Sequence, residues 1–114
     1  MSNQTINKVN GVIKKFVVKK HIVNNKLLLA VCDEELFGKK FEQGDLVLDL
    51  TSNFYNGDLL NEKQTLVLMK QSYILNLVGN NSVNLALKNG LIDEELVFFI
   101  ENIPYAQSVR DDLK

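Results

Sequence analysis

The sequence predicts an α+β fold in two layers, a mostly antiparallel sheet with a helical hairpin packed on one face. Residues 12–23 and 26–32 are rich in β-branched or apolar side chains and flank two asparagines, which indicates a β-hairpin. Apolar residues then recur with helical period after Asn61. A further apolar run at 96–100 indicates a return to the sheet. Together with one more strand, described below, these elements predict the order β-β-β-α-α-β.

The first predicted hairpin has two different strands. Residues 12–23 carry paired lysines that break strict alternation, so we expect an edge or twisted strand. Asn24 and Asn25 form the turn, because asparagine tolerates positive φ. Residues 26–32 are apolar almost throughout, which is typical of a strand covered on both faces.

A turn and a third strand follow. Asp33 is placed to cap a single helical turn that ends at Gly38. Residues 39–44 predict a polar loop, and residues 45–50 alternate cleanly between leucines and other side chains. This alternation predicts a half-buried strand.

The predicted helical hairpin begins at Asn61, where Gln64 three residues later completes a capping box. The apolar stripe continues until Gly79, which is placed to end the first helix. Asn81 can cap a second, short helix that Gly90 stops. The later run at 96–100 predicts a central strand, and Pro104 keeps the chain extended beyond it.

The 114 residues predict one domain. We expect a flexible polar tail over 1–11, a single α+β domain over 12–110 and a frayed end over 111–114. An apolar fraction of 46% excludes a fully disordered chain, and the longest apolar runs, about six residues, are too short to span a membrane. The start lacks a secretory apolar segment, so a cytoplasmic location without membrane contact is expected.

The charge is distributed unevenly along the chain. Residues 1–40 carry a net charge of +5 and residues 41–114 carry −6, within an overall charge of −1. One interpretation is a basic surface for nucleic acid on an acidic body. The other is that lysines decorate exposed strands and discourage edge pairing. Arg110, the single arginine, either pairs with a carboxylate or grips a phosphate or a partner's carboxylate.

Enzyme motifs are weak in this sequence. No phosphate-binding glycine loop is present, and one cysteine with one histidine cannot form a zinc site without many carboxylates. Cys32 lies in an apolar run, which indicates a buried thiol; the alternative is a thiolate activated by His21. We therefore assign no catalytic residue, no metal and no cofactor, and an enzyme is not expected.

An acidic cluster supplies the alternative, a small enzyme or metal-dependent catalyst. If the strands at 26–32 and 45–50 pair, Asp33 and Asp45 meet at one sheet end and can bind Mg²⁺. The other interpretation is that Asp33 only caps its turn. The acidic residues concerned are Asp33, Glu34, Asp45 and Asp49.

Candidate RNA-contacting residues come from the basic hairpin, the following loop and the carboxyl-terminal segment. Lysine and arginine supply phosphate contacts, and aromatic rings supply stacking platforms. The cations are Lys14, Lys15, Lys19, Lys20, Lys39, Lys40 and Arg110, and the rings are Phe16, Tyr55 and Tyr105. We expect the lysine-bearing hairpin and Arg110 to form one docking surface.

Four short segments of the sequence are distinctive together: AVCDEELFGK at 30–39, FYNG at 54–57, NLVG at 76–79 and IPYAQSVR at 103–110. In this order and spacing they resemble DUF424, a small archaeal family of unknown function. The resemblance covers roughly residues 13–110. It implies a single-domain cytoplasmic protein with a loose association with translation genes.

The resemblance also implies a set of family-motif residues. These are Cys32, Asp33, Glu34, Gly38, Lys39, Tyr55, Gly57, Asn76, Gly79, Pro104, Gln107 and Arg110. Tyr105 stands where the family pattern has histidine. Tyrosine, with a reference pKa near ~10, cannot replace a histidine in acid–base work near neutral pH, so the departure favours binding over catalysis.

The resulting hypothesis is a non-catalytic binding module of the archaeal translation apparatus. It would contact ribosomal RNA, tRNA or a translation factor, with no sequence-specific DNA binding expected. Gln107 joins the cations, Tyr55 and Tyr105 as a partner-binding residue. A protein–protein adaptor with an exposed apolar patch at Phe54, Tyr55 and Tyr105 is a further alternative.

Overall fold

The computed structural model describes residues 13–110, with the side chain of Lys14 left aside. The expected tails at 1–11 and 111–114 lie outside the described residues. Two helices, α1 and α2, are Glu62–Gln71 and Asn80–Lys88. The strands β1 to β8 are Lys14–Val23, Lys26–Asp33, Lys40–Gln43, Leu46–Asp49, Asp58–Asn61, Ile74–Val78, Val97–Ile100 and Ile103–Val109.

Six strands form one mixed sheet in the order β5-β1-β2-β6-β8-β7. Only β2 and β6 pair in parallel, and all other neighbours are antiparallel. The strands β3 and β4 form a separate two-stranded hairpin. The predicted α+β class with a mostly antiparallel sheet is therefore confirmed.

The predicted order β-β-β-α-α-β is wrong, because the first predicted helix contains a strand. The capping box of Asn61 and Gln64 is present, but α1 ends at Gln71 and the chain then enters β6. Four of the five residues of β6 are apolar, so their pattern fits helix and strand equally well. A strand thus separates α1 from α2, and the predicted direct helix-to-helix connection does not exist.

Other strands also differ from prediction. Residues 40–43, predicted as loop, pair with β4, and the turn-rich stretch before α1 contains β5. The apolar run of β7 lies at a sheet edge and not in the centre, while β1 lies between β5 and β2 and not at the edge. Strand position depends on long-range pairing, which local composition does not specify.

Two hairpins of the six-stranded sheet have turns formed by pairs of residues with positive φ. Asn24 and Asn25 have φ of 52° and 66°, which confirms the predicted turn between β1 and β2. Glu101 and Asn102 have φ of 49° and 66° and connect β7 to β8 in the same way.

The sheet has a core on each face. On one face, Leu29, Val31, Leu75 and Leu77 pack against α1 and α2. On the other, a smaller core around Cys32 and Val78 lies beneath the β3–β4 hairpin. Its remaining members and packing neighbours include Val17, Leu36, Phe41, Leu48, Leu50, Tyr55, Ile103 and Tyr105.

No helix among residues 13–110 has the length and apolar character needed to cross a bilayer.

Candidate functional site

The β3–β4 hairpin covers only part of the sheet face opposite the helices, and we call the remainder the open face. The register places side chains from four neighbouring strands, β1, β2, β6 and β8, in two rows across it. One row is Lys19, Ala30, Asn76 and Gln107; the other is His21, Leu28, Ile74 and Val109.

No strand of the six-stranded sheet places a carboxylate on the open face. Among the described strand residues of the six-stranded sheet, the only acids are Asp33 and Asp58. Asp33 is buried in a helix cap, and Asp58 pairs with Val18, whose side chain belongs to the helix-side core. Lys19 is therefore the cation that β1 contributes to this face, and His21, on the same side of β1, lies under the Phe54 ring.

His21 anchors the turn Asn53–Tyr55 over β1. Its Nε2–H donates to the Phe54 carbonyl at 2.9 Å, and its ring stacks on the Phe54 ring with centroids 4.6 Å apart and planes 15° apart. The Phe54 ring in turn meets Tyr55 edge-on at 5.0 Å. Sequence reasoning considered His21 only as a base for Cys32 and missed this stacked pair.

Two amide side chains stand together at the centre of the open face. Asn76 of β6 and Gln107 of β8 are direct cross-strand partners, so their Cβ atoms lie about 5 Å apart. Neither side chain makes a hydrogen bond within residues 13–110. Their donors and acceptors are available to a ligand.

An aromatic pair borders the amides. Tyr105, two residues before Gln107 on β8, pairs with Phe98 of β7, and their ring centroids are 6.0 Å apart with planes tilted by 38°. Phe98 is 58% exposed although it is apolar. The sequence prediction placed this residue inside a central strand and missed it as a surface group.

The predicted basic surface is divided between different parts of the molecule. Lys19 lies on the open face, whereas Lys20 lies beside Val18 and lines a groove on the helix side with Asp58. Lys15 is the extra residue of a bulge in β1 and is half-buried. The side chain of Lys14 lies outside the described part of the chain.

The two loop lysines belong to the small hairpin. Lys39 is exposed, and its backbone carbonyl accepts a hydrogen bond from Leu50. Lys40 opens β3 and lies 3.4 Å from a carboxylate oxygen of Glu42. Tyr55 and Tyr105 are half-buried in the smaller core, so they border the open face and do not form the predicted exposed apolar patch.

Arg110 does not join the hairpin lysines. Its guanidinium donates to the carbonyls of Met69 and Lys70 at 3.2 and 3.3 Å. These carbonyls belong to the last turn of α1, where a cation is stabilised by the helix dipole. The expectation of one docking surface shared by the hairpin lysines and Arg110 is therefore wrong. Arg110 instead binds the carboxyl-terminal end of α1.

Asp33 caps a distant helix and not its own turn. Its carboxylate accepts from the backbone N–H groups of Asn81 and Ser82, at 2.9 and 2.8 Å, and from the Ser82 hydroxyl at 2.7 Å. The turn at 34–36 receives no side-chain cap from it. Asn81, predicted as the cap of α2, instead donates its backbone N–H, and the N-cap residue is Gly79.

This cap explains why several family-motif residues occur together. Gly79 has φ +108°, and a Cβ there would collide with the Asp33 carboxylate. The Gly79 N–H donates to the Pro104 carbonyl at 2.8 Å. The ends of β2 and β6 and the start of β8 are thereby held at one edge of the fold, a structural role for Asp33, Gly79 and Pro104.

The Cys32 thiol is fully buried, as the sequence indicates. Burial, with a smaller contribution from the charge of Asp33, raises its pKa to about 12. Burial also raises the pKa of Tyr55 to about 12, with a smaller contribution from Cys32. His21 pairs with Leu28, four residues before Cys32 on β2, which corresponds to a separation of about 13 Å along the strand. The alternative of a His21-activated thiolate is therefore wrong.

The predicted acidic cluster does not assemble. The strand that contains Asp49 pairs with β3 and not with β2, and Asp33 is already bound at α2. Asp49 is exposed, and hydrogen bonds from the hydroxyl and backbone of Thr51 lower its pKa. Within residues 13–110, no three histidine, cysteine or acidic side chains come close enough to hold a metal ion together.

These features define a class of protein: a small α+β domain with one sheet face covered by helices and the other partly open. The chain belongs to the family described as Protein of unknown function (DUF424), whose model matches residues 21–110.

A solved structure shares this fold. It is an uncharacterized conserved protein from Methanopyrus kandleri, similar with a TM-score of 0.68 and 19% sequence identity. The match covers 84% of this chain and 93% of that one. No curated protein matches the sequence.

Proposed function

We propose that this protein is a non-catalytic binding module of the archaeal translation apparatus that contacts RNA through its open face. The basic β1–β2 hairpin supplies two of the four strands of that face. Ribosomal RNA and tRNA are the proposed partners, and a translation factor is the alternative partner.

The absence of strand carboxylates from the open face carries this proposal. Within residues 13–110, the strands of the six-stranded sheet direct no carboxylate to this surface, while Lys19 faces it. RNA presents a continuous row of phosphates, so a sheet face without strand carboxylates avoids repulsion that would otherwise oppose binding.

Two adjacent lysines provide a matched test. Lys19→Glu reverses a charge on the open face, and Lys20→Glu makes the same change on the opposite side of the same strand. Wild-type protein added to archaeal cell extract should sediment with ribosomal particles at low salt. We expect Lys19→Glu to weaken this association about tenfold, because it removes a phosphate contact on the open face. Lys20→Glu, on the other side of the strand, should weaken it much less.

Nuclease treatment separates RNA from protein partners in the same gradients. RNA-mediated association should disappear after digestion and weaken as salt rises. Migration at the top of the gradient under every condition would contradict the proposal. Association that survives digestion would contradict RNA binding and would support a protein partner, either a translation factor or the adaptor alternative favoured by the exposed apolar side chains of β7.

A further inference from the structure

We propose that the open face binds unpaired RNA bases, with Phe98 and Tyr105 as the stacking platform and Asn76 and Gln107 as the groups that contact base edges. This inference rests on the proposed RNA-binding function and specifies the structural class of RNA: single-stranded segments and not duplex.

The aromatic pair provides the first reason. Phe98 exposes 58% of its surface to water at the sheet edge, beside the half-buried Tyr105. A base stacked on Phe98 would cover this apolar surface, and aromatic rings on exposed sheets accept bases of any sequence. In a duplex, the base faces are already stacked on one another and are not accessible to the ring.

The amide pair provides the second reason, independent of the first. Asn76 and Gln107 each offer a donor and an acceptor that make no hydrogen bond within the described chain. Gln107 lies two residues beyond Tyr105 on β8, which corresponds to about 7 Å along the strand. This distance matches the width of a base, so the edge of a base stacked beside Tyr105 can meet the amides. Unpaired bases expose these edges, whereas paired bases do not.

Charge on the open face is consistent with a strand crossing it. Lys19 occupies the same row as the amides, on the far side of Ala30, and no strand carboxylate intervenes. Bases stacked near β7 and β8 would direct the phosphates of neighbouring nucleotides across the sheet towards β1. The strands β1 and β8 are three positions apart in the sheet order, about 14 Å at the usual strand spacing, which two to three nucleotides span.

Two neighbouring phenylalanines allow a matched experiment. Phe98 and Phe99 are 58% and 59% exposed on the same strand, but Phe99 pairs with Pro104 and lines a groove beside α2. Fluorescence anisotropy would measure binding to a labelled ten-nucleotide mixed-sequence RNA strand and to the same strand annealed to its complement. We expect the single strand to bind at least ten times more tightly than the duplex.

The leucine variants remove a ring and keep an apolar side chain. We expect Phe98→Leu to weaken single-strand binding about tenfold, because stacking is lost, and Phe99→Leu to change it less than about twofold. Asn76→Ala should weaken binding as well, whereas Asn84→Ala on α2 should not. Thermal unfolding of each variant would show that the fold is retained. If Asn76→Ala unfolds, Gln107→Ala takes its place, because it alters an exposed side chain of the same amide pair.

The outcomes separate this inference from the function on which it rests. Equal affinity for strand and duplex, or equal losses for Phe98→Leu and Phe99→Leu, would overturn the base-binding inference while RNA binding stands. Absence of binding to both RNAs, with no ribosome association in extract, would overturn the proposed function itself.

Discussion

Burial has changed the acidity of two side chains that are adjacent in the smaller core. Cys32 and Tyr55 both have a pKa of about 12, where ordinary values are 9.0 and 10.0. Both groups are neutral when protonated, so an apolar environment favours the protonated form. The sequence indicated that Cys32 is buried, because it ends an apolar run, but the contact with Tyr55 depends on a turn that local patterns do not place.

We expect the protein to lose stability between about pH 9 and pH 12 because of these two groups. Above pH 9.0 the unfolded chain releases the Cys32 proton, and above pH 10.0 the Tyr55 proton, while the folded chain retains both until about pH 12. The unfolded state then binds fewer protons, so the free energy of unfolding falls as pH rises. Below pH 9 this contribution is fully present.

Urea unfolding at pH 8 and pH 11 would measure the effect. Cys32→Ala and Tyr55→Phe each remove one titrating group, so the fall in unfolding free energy should be smaller in each variant than in wild type. All other side chains are common to the three proteins, so the comparison isolates the contributions of Cys32 and Tyr55. Identical pH dependence in the three proteins would show that these groups are not linked to folding.

At the scale of elements, the hairpin β1–β2 and the start of α1 could be predicted because their signals are local. Asn24 and Asn25 specify a turn, and Asn61 with Gln64 specifies a helix start. The strand β6 could not be recognised, because its mostly apolar residues continue the helical stripe of α1 and lack the strict alternation that marks a strand. Its parallel pairing with β2 joins segments that are far apart in the sequence, so local patterns do not predict it.

The contribution of the Asp33 cap on α2 to stability can be tested by substitution. Asp33→Ala leaves two backbone N–H groups and the Ser82 hydroxyl without their acceptor. We expect the free energy of unfolding to fall by about 2–4 kcal/mol, since buried donors lose their partners and the helix loses its cap. Urea unfolding measures this change.

The neighbouring Glu34 serves as the control. It is exposed and bears the same charge, so Glu34→Ala should change stability by no more than about 0.5 kcal/mol. A loss of under about 1 kcal/mol for Asp33→Ala, equal to a surface substitution, would contradict the capping role.

For the whole molecule, the sequence indicated the class and the family but not the arrangement of the binding surface. The lysines of β1 were recognisable as cations, yet alternation sends Lys19 and Lys20 to opposite sides of the sheet. Arg110 was predicted to share their surface and instead binds the end of α1. Asn76 was indicated only as a family-motif residue and Phe98 only as part of an apolar run. Their place beside one another depends on the pairing of β6, β8 and β7, which no single segment reveals.

The side-chain amide signals of Asn76 and Gln107 provide the most direct test of RNA binding at the open face. In ¹⁵N–¹H correlation spectra, titration with a ten-nucleotide single-stranded RNA should shift both amide groups. The exposed amides of Gln71 and Asn84, which belong to the two helices, should stay in place. Shifts confined to the helix amides, or no shift in any of the four at saturating RNA, would contradict the account.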